Sequence, residues 1–371
     1  MTDARVVLTL DAGGTSFRFA AIAGEGEVGP GVTLPPRADD LTACLAQIVE
    51  GFSRVRQEAG GTVAALSFAF PGPADYRAGV IGDLGNLPGF RGGVALGPML
   101  EDRFGVPVYI NNDGDLFTLG EALHGLLPEV NRRLAASGNP RRYRNLLGVT
   151  LGTGFGGGIV RNGELFLGDN RAAAEIWLVR NKLDRGAPAE DGVGIRAVRS
   201  VYARLAGLAP ADAPEPSAIA AIARGEVPGD AAAARESFRR LGEVAGDAIA
   251  NALTLVDGLV VVGGGLAGAG PLFLPALVGE LNGALAFVGG QTVPRLELTA
   301  FDLEDEGDAK RFLSPGSRAV RVPGSTREVP YDPEKRTGVG LSRLGTSRAV
   351  SLGAYAWALR SLDARGTSAP G

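Results

Sequence analysis

The stretch LGTGFGGGIV, residues 151–160, keeps side chains of any size only at Leu151, Thr153, Phe155, Ile159 and Val160. Glycine loses more conformational freedom on folding than any other residue. Such clustering therefore marks a tight turn, or a place where something approaches the backbone closely. The flanking segments NLLGVT and IVRNGELFLG read as strands, so the glycines belong to a strand–turn–strand unit. Gly152, Gly154 and Gly157 formally satisfy G-x-G-x-x-G, yet the dinucleotide fingerprint needs a helix after the turn, and here strand continues. No G-x-x-x-x-G-K-[ST] occurs, and no H-R-D or D-F-G follows, which removes the P-loop and protein-kinase readings.

What remains is a turn whose bare amides form a concave cradle for an anion such as phosphate. The plainer alternative is a hairpin tightened by glycine for its own sake. Two further runs weigh against it. ARVVLTLDAGGTSFRFAAIAG, residues 4–24, repeats the strand–turn–strand plan, and VVVGGGLAGAG, residues 260–270, places glycines after a buried strand. Two phosphate grips and a nucleoside shelf are what an ATP-using protein needs.

At 371 residues the chain is too long for one ordinary core, so two lobes are expected. The net charge of −4 gives no general pull toward nucleic acid or anionic membrane. The basic stretch NRRLAASGNPRRYRN, residues 131–145, reads as a solvated face. With one cysteine, Cys44, and one histidine, His124, the chain can form no intramolecular disulfide and no Cys/His zinc site. A Ser-His-Asp hydrolase would have to use His124, whose setting in LGEALHGLL is that of an ordinary helix residue. The first residues do not read as a signal peptide, and none is expected. The uncharged run 258–279 is broken by Gly263–Gly265, Pro271 and Pro275, so it reads as a buried strand and turn, and a cytoplasmic protein is expected.

The duplicated strand–turn–strand units open two stretches of mixed strand and helix, an internally duplicated α/β plan. Leu41, Leu45, Ile48, Phe52 and Val55 form one apolar stripe with Cys44 on it, and Phe238, Leu241, Val244, Ala248 and Ile249 form another. Residues 302–346 are polar and rich in Pro, Gly and Arg, and read as an insertion with little strand. A helix over 347–363 closes the chain, and the tail after Asp363 is expected to be disordered.

DAGGTSFRFA, AFPGPAD, GNLPGF, NNDGDLFTLGEA, LGTGFGGGIVRNGEL, AAEI and VVVGGGLAGAG occur in an order that resembles the ROK family of sugar kinases and related repressors. Each motif is modest alone; the ordered set is specific and covers the chain except about 128–144 and 302–346. The resemblance implies a two-lobed, actin-like ATPase fold, a duplicated ribonuclease-H-like α/β architecture with the active site in the cleft between lobes. The small lobe would span 1–113, with the C-terminal helix returning to it, and the large lobe 114–346. ATP and magnesium are implied. Asp11, Gly13, Gly14 and Thr15 match the first phosphate motif, Asp11 placing Mg2+ through water. Gly152, Thr153, Gly154 and Gly156 match the second, and Gly264 and Gly265 the adenosine motif. Pro71, Gly72, Asn86, Asn112, Asp113 and Glu175 match positions lining the sugar site. A homodimer is possible by analogy with relatives.

Phosphoryl transfer needs an acceptor hydroxyl in line with the γ-phosphate and a place for its proton. A carboxylate with an ordinary pKa of about 3.9 is ionised at neutral pH, and Asp113 follows a buried strand at an edge where α/β proteins bind ligands. Asp113 is therefore the expected base. The alternative is that Asn111, Asn112, Asp113 and Asp115 cap the next helix, and Asp115 is expected to supply the cap while Asn112 meets a sugar hydroxyl. Glu175 has apolar neighbours and is expected to read the sugar.

The pattern breaks after Glu175. Leu178 stands where most ROK kinases have a histidine, and no cysteine follows for their zinc loop. Trp177 is open between shaping that wall and core packing. Glu190 or Asp191 lies near where the family has a second sugar-contacting glutamate, Glu190 being the residue expected there. This departure bears on which sugar is used more than on the reaction. The expected activity is ATP-dependent phosphorylation of the 6-hydroxyl of a free hexose, glucose first. The alternatives are fructose, mannose or an amino sugar, or a non-catalytic sugar-responsive regulator, which would need an added DNA-binding helix pair before the first strand.

Overall fold

Alternating β-rich segments and glycine turns build two sheets with the same plan. The computed structural model describes residues 3–12, 16–85 and 87–367, and the chain separates into two units. The first holds residues up to His124, Leu167–Arg171 and the segment from Leu344 on; the second holds Gly125–Phe166 and Ala172–Arg343.

In the first unit, β1 (Val6–Ala12) and β2 (Phe17–Ala23) pair antiparallel, with Asp11 opposite Arg18. Helix α1 (Leu41–Ala59) starts where the Asp40 side chain accepts a hydrogen bond from the Ala43 amide at 3.1 Å, and it stops at Gly60. Its Cys44, Ile48, Phe52 and Val55 are buried, while Leu41 and Leu45 pack at the margin of the same core. β3 (Val63–Ala69) and β4 (Val108–Asn111) follow in parallel, giving the order Gly26–Glu27, β2, β1, β3, β4. Helix α2 (Asp113–His124) leaves the end of β4.

The second unit repeats this. β5 (Leu146–Leu151) and β6 (Phe155–Arg161) are antiparallel, with a short edge strand at Glu164–Leu165. Helix α3 (Ile195–Ala206) and the long helix α4 (Ala231–Val256) come next, and α4 buries all five residues of its expected stripe. β7 (Leu259–Gly263) runs parallel to β5; after it come α5 (Gly270–Leu281), β8 (Thr299–Asp302) and β9 (Arg336–Leu341). The order is Glu164–Leu165, β6, β5, β7, β9, β8. The last helix, α6 (Thr346–Thr367), belongs to the first unit, where Leu352, Tyr355 and Ala358 meet Val7 and Ala65.

Three sequence expectations change. The first unit ends after His124, not at Asp113. Helix α2 packs on α6 so closely that a Cβ on Gly120 would come within 2.0 Å of the Ala349 carbonyl oxygen, and one on Gly353 within 1.9 Å of that of Leu116. The stretch 302–346 is not an insertion throughout: β9 sits inside the sheet with Thr337 and Val339 fully buried, and only the exposed hairpin Arg318–Arg321 with Glu328–Tyr331 stands apart. Residues 128–144 dock onto it. Asn139 donates to the Leu313 and Ser314 carbonyls, the Tyr143 hydroxyl donates to that of Arg336 at 2.7 Å, and the Tyr143 ring stacks on Phe312. The third is the tail, which continues as helix through Thr367.

Candidate active site

In the first unit, register places the candidate residues. Asp11, Ala69 and Asn111 occupy one row across β1, β3 and β4. The segments leaving these positions therefore emerge at one carboxyl edge of the parallel strands, the usual place for a ligand crevice. The Phe70 amide donates to the Asn111 carbonyl at 3.1 Å, which keeps Pro71 and Gly72 beside the start of α2. The Tyr76 hydroxyl donates to the Phe70 carbonyl from the next turn at 3.0 Å. The Gly72–Pro73 peptide is cis.

Asp113 is solvent-exposed at the first position of α2, and its carboxylate also accepts from the Gly114 amide at 2.9 Å. The helix cap is Asn112, whose carboxamide oxygen accepts from the Gly114 amide at 2.8 Å. Asp115, the expected cap, is instead buried within the first turn. Capping engages the oxygen of the Asn112 side chain, whose remaining polar group is its amide nitrogen, a donor. Asn111, 1 % exposed and considered from sequence only as a helix cap, has a buried side-chain nitrogen with no hydrogen-bond partner among the described residues.

Asp11 is half-buried. Arg18, opposite it, is held in its charged form chiefly by hydrogen bonds to Glu27, with Asp11 adding attraction. Gly13, Gly14, Thr15 and Asn86 lie outside the described residues. Among those described, no group of three or more His, Cys, Asp or Glu side chains could hold a metal. His124 lies 3.3 Å from Glu25 through Nδ1.

The second unit presents glycine where the first presents side chains. The turn from Gly152 to Gly154 follows β5, and the Gly152 amide donates to the Gly154 carbonyl at 3.0 Å. Space above Gly152 is open, whereas Gly156 lies within β6 and needs its bareness for the Thr150 hydroxyl, which a Cβ would meet at 2.5 Å. Gly156 is therefore accounted for by strand pairing. The Ile195 amide, first in α3, donates to the Gly152 carbonyl at 2.9 Å, so the N-terminus of a 12-residue helix sits at the turn. Such helix ends favour anions.

Gly264 and Gly265 follow β7, next to that turn. Gly264 has φ +90°, and a Cβ there would lie 2.3 Å from the Leu151 carbonyl oxygen; the space around Gly265 is open. The Leu266 amide donates to the same Leu151 carbonyl at 3.0 Å. The Gly152–Gly154 turn and Gly264–Gly265 are thus brought together at adjacent strand ends.

Glu175 is exposed after Ala174, an alanine in the left-handed region at φ +61°. The Trp177 indole N–H donates to the Glu175 carboxylate, while the Trp177 ring packs on the core, as in the core-packing alternative. Leu178 is 58 % exposed. Glu190 is not directed to solvent: its carboxylate accepts from the Phe155 amide at 3.0 Å, on the glycine turn itself. Sequence reading missed this contact, along with the α3 N-terminus, because nothing local to Glu190 or Ile195 signals partners 35 and 43 residues away.

The described part of the molecule contains no helix long and apolar enough to cross a membrane. The model for the ROK family matches residues 7–306. A crystal structure of a glucokinase from Parabacteroides distasonis ATCC 8503 is 52% identical, covering 96% of this chain and 98% of that one with a TM-score of 0.86. A ROK family glucokinase from Streptomyces griseus, solved with glucose and AMPPNP, is 21% identical over 95% of this chain and 98% of that one, with a TM-score of 0.58, a likeness of fold. In sequence, an N-acetyl-D-glucosamine kinase of Vibrio cholerae serotype O1 is 32% identical over 174 residues, 47% of this chain. A glucokinase of Halalkalibacterium halodurans is 29% identical over 187 residues, 49% of this chain. The chain spans about half the length of these curated relatives, 52% of each.

Proposed function

The chain belongs to the ROK family and has its duplicated, actin-like ATPase α/β fold, and from that premise we propose that it is an ATP-dependent kinase of a free hexose. The proposed acceptor is the 6-hydroxyl, and glucose is the first candidate. The observation that carries this reading is the shared row of Asp11, Ala69 and Asn111, which sends Asp11, Pro71–Gly72 and Asn112–Asp113 out of one sheet edge. The named glucokinase relative at 52% identity supports the choice of sugar.

In this reading Asp113, solvent-exposed at the first position of α2, accepts the proton of the attacking hydroxyl. The Asn112 amide nitrogen and Glu175 orient the sugar. The phosphates of ATP rest on the Gly152–Gly154 turn and the α3 N-terminus, with the purine by Gly265. Mg2+ keeps most of its water and binds through one or two carboxylates plus substrate phosphates. A lone half-buried Asp11 fits that demand and would hold the ion's water shell, while the ion would neutralise phosphate charge.

The test is ADP release with a panel of glucose, fructose, mannose and N-acetylglucosamine. The expected result is turnover above the sugar-free background, highest with glucose. Equal background with every sugar would end the proposal, and a preference for another hexose would replace glucose in it.

A further inference from the structure

Residues 179–189 close on themselves as a small loop. The Ala189 amide donates to the Val179 carbonyl at 2.6 Å and the Asn181 amide to the Ala187 carbonyl at 3.0 Å, with Arg180 opposite Pro188. The buried Asn181 side chain shapes the turn, its oxygen accepting from the Leu183 and Asp184 amides at 2.9 and 3.2 Å. Glu175 precedes one arm of this loop, and Glu190 follows the other. Most ROK kinases carry their zinc loop in this stretch. The donors here do not suit that metal. The loop holds no Cys or His, and its Asp184 already accepts from the Gly186 amide at 3.1 Å.

A cation nevertheless ties the loop down, and the chain supplies it. The Lys182 ammonium lies 2.6 Å from Glu280 on α5 and 3.2 Å from Glu243 on α4. Helix packing sets those two carboxylates side by side. Gly242 and Gly246, one helical turn apart, let α5 come close to α4. A Cβ on Gly242 would lie 2.3 Å from the Phe273 carbonyl oxygen, and one on Gly246 would lie 2.7 Å from the Glu280 Cβ. The Glu243 and Glu280 side chains are only 20 % and 18 % exposed, so their mutual repulsion is poorly relieved by water. Arg239 serves Glu243 at 3.0 Å, whereas the ion-pair partner of Glu280 among the described residues is Lys182 alone. Burial would push the Glu243 carboxyl up, yet hydrogen bonds from Lys182 and Arg239 hold it below its ordinary value.

We infer that Lys182 is a positioning residue for the sugar side of the site: its ammonium, held between Glu243 and Glu280, pins the 179–189 loop and so sets where the Glu175 arm stands. The other arm is secured on its own account, because Ala189 and Val193 are fully buried and Glu190 holds the Phe155 amide. Glu175 is exposed and is steadied by the Trp177 indole, which rides on the same arm. A loosened loop is therefore felt by the sugar before the nucleotide. The kinetic half of this inference rests on the sugar-kinase reading; the pin itself does not.

The experiment compares wild type, Lys182→Met, Lys182→Arg and Glu280→Gln as full chains, by limited trypsin digestion and by ADP release with glucose. Cleavage is scored after Arg185, an exposed loop residue that all four proteins keep. Lys182→Met keeps the length of the side chain and removes its charge. It is expected to speed that cleavage about fivefold and to raise the KM for glucose about fivefold, the loss of two half-buried ion pairs. Its kcat and its KM for ATP should change little. Lys182→Arg restores the charge and is expected to return both readouts toward wild type. Glu280→Gln weakens the pin from the helix side and should move both in the same direction as Lys182→Met, which keeps the test valid if that variant fails to fold. Wild-type cleavage in both Lys182→Met and Glu280→Gln would overturn the pin. Faster cleavage with an unaltered glucose KM, or an equal rise in the KM for ATP, would overturn the positioning role while the kinase reading stands. If no sugar supports turnover, the kinase reading fails, and the digestion still decides whether Lys182 holds the loop.

Discussion

The two sheets share an order of edge strand, hairpin pair and parallel strands, yet their carboxyl edges carry opposite chemistry. The first ends in Asp11, Asn111, Asn112 and Asp113; the second ends in Gly152, Gly154, Gly264 and Gly265. A repeated backbone plan has been used once to display carboxylates and amides, and once to display main-chain donors. An acceptor alcohol needs a base and hydroxyl readers, and a polyphosphate needs amides and close approach. The division of labour follows from those needs.

The sharpest break of this comparison is Asp113→Asn, which removes the base but keeps size and shape. Turnover should fall about 10²- to 10⁴-fold, with the thermal midpoint little altered because the residue is exposed. ADP release and a melting curve check both. Near wild-type turnover would move the base elsewhere.

A second contrast lies between neighbouring glycines of the second edge. Gly264→Ala places a Cβ 2.3 Å from the Leu151 carbonyl oxygen at φ +90°, whereas Gly265→Ala enters open space. The first change should cost roughly 3 kcal/mol or more, a fall on the order of 10 °C for a domain of this size. The second should leave the melting point in place and raise the KM for ATP. Equal melting points would contradict this account of Gly264.

Trp177→Phe keeps the packed ring and removes the N–H donor to Glu175. The sugar KM should rise several-fold, about 1 kcal/mol for one hydrogen bond, with the KM for ATP unaltered. A rise in the ATP KM alone would instead tie Trp177 to the nucleotide side.

The smallest effect is alkaline and belongs to the first core. Burial pushes the Cys44 thiol from an ordinary 9.0 up to about 11. The unfolded chain ionises it first, so its contribution to stability is full below pH 9.0 and is lost as pH rises toward about 11. Native protein at pH 8 should resist alkylation, and labelling should appear with urea. Rapid labelling without denaturant would show that α1 opens locally.

Much of this was legible in the sequence because the signals were local. The hairpin glycines, the Cys44–Val55 stripe of α1 and the stripe of α4 depend on spacing within one element. β9 was hidden because four of the six residues of its RTGVGL are small or polar, and it is buried by distant partners: a Cβ on Gly338 would meet Leu303, and one on Gly340 would meet Leu126. The capping choice between Asn112 and Asp115 turned on where α2 begins, a matter of three residues, close to the usual uncertainty of a helix end. The Glu190 contact spans 35 residues and has no local trace.

The central claim is that the acidic edge and the glycine edge serve one transfer. A crystal structure with glucose and AMPPNP bound tests it most directly. The account predicts the glucose 6-hydroxyl within hydrogen-bond reach of the Asp113 carboxylate, and AMPPNP phosphates against the Thr153 and Gly154 amides. Glucose bound away from Asp113, or phosphates held by side chains with that turn bare, would contradict it.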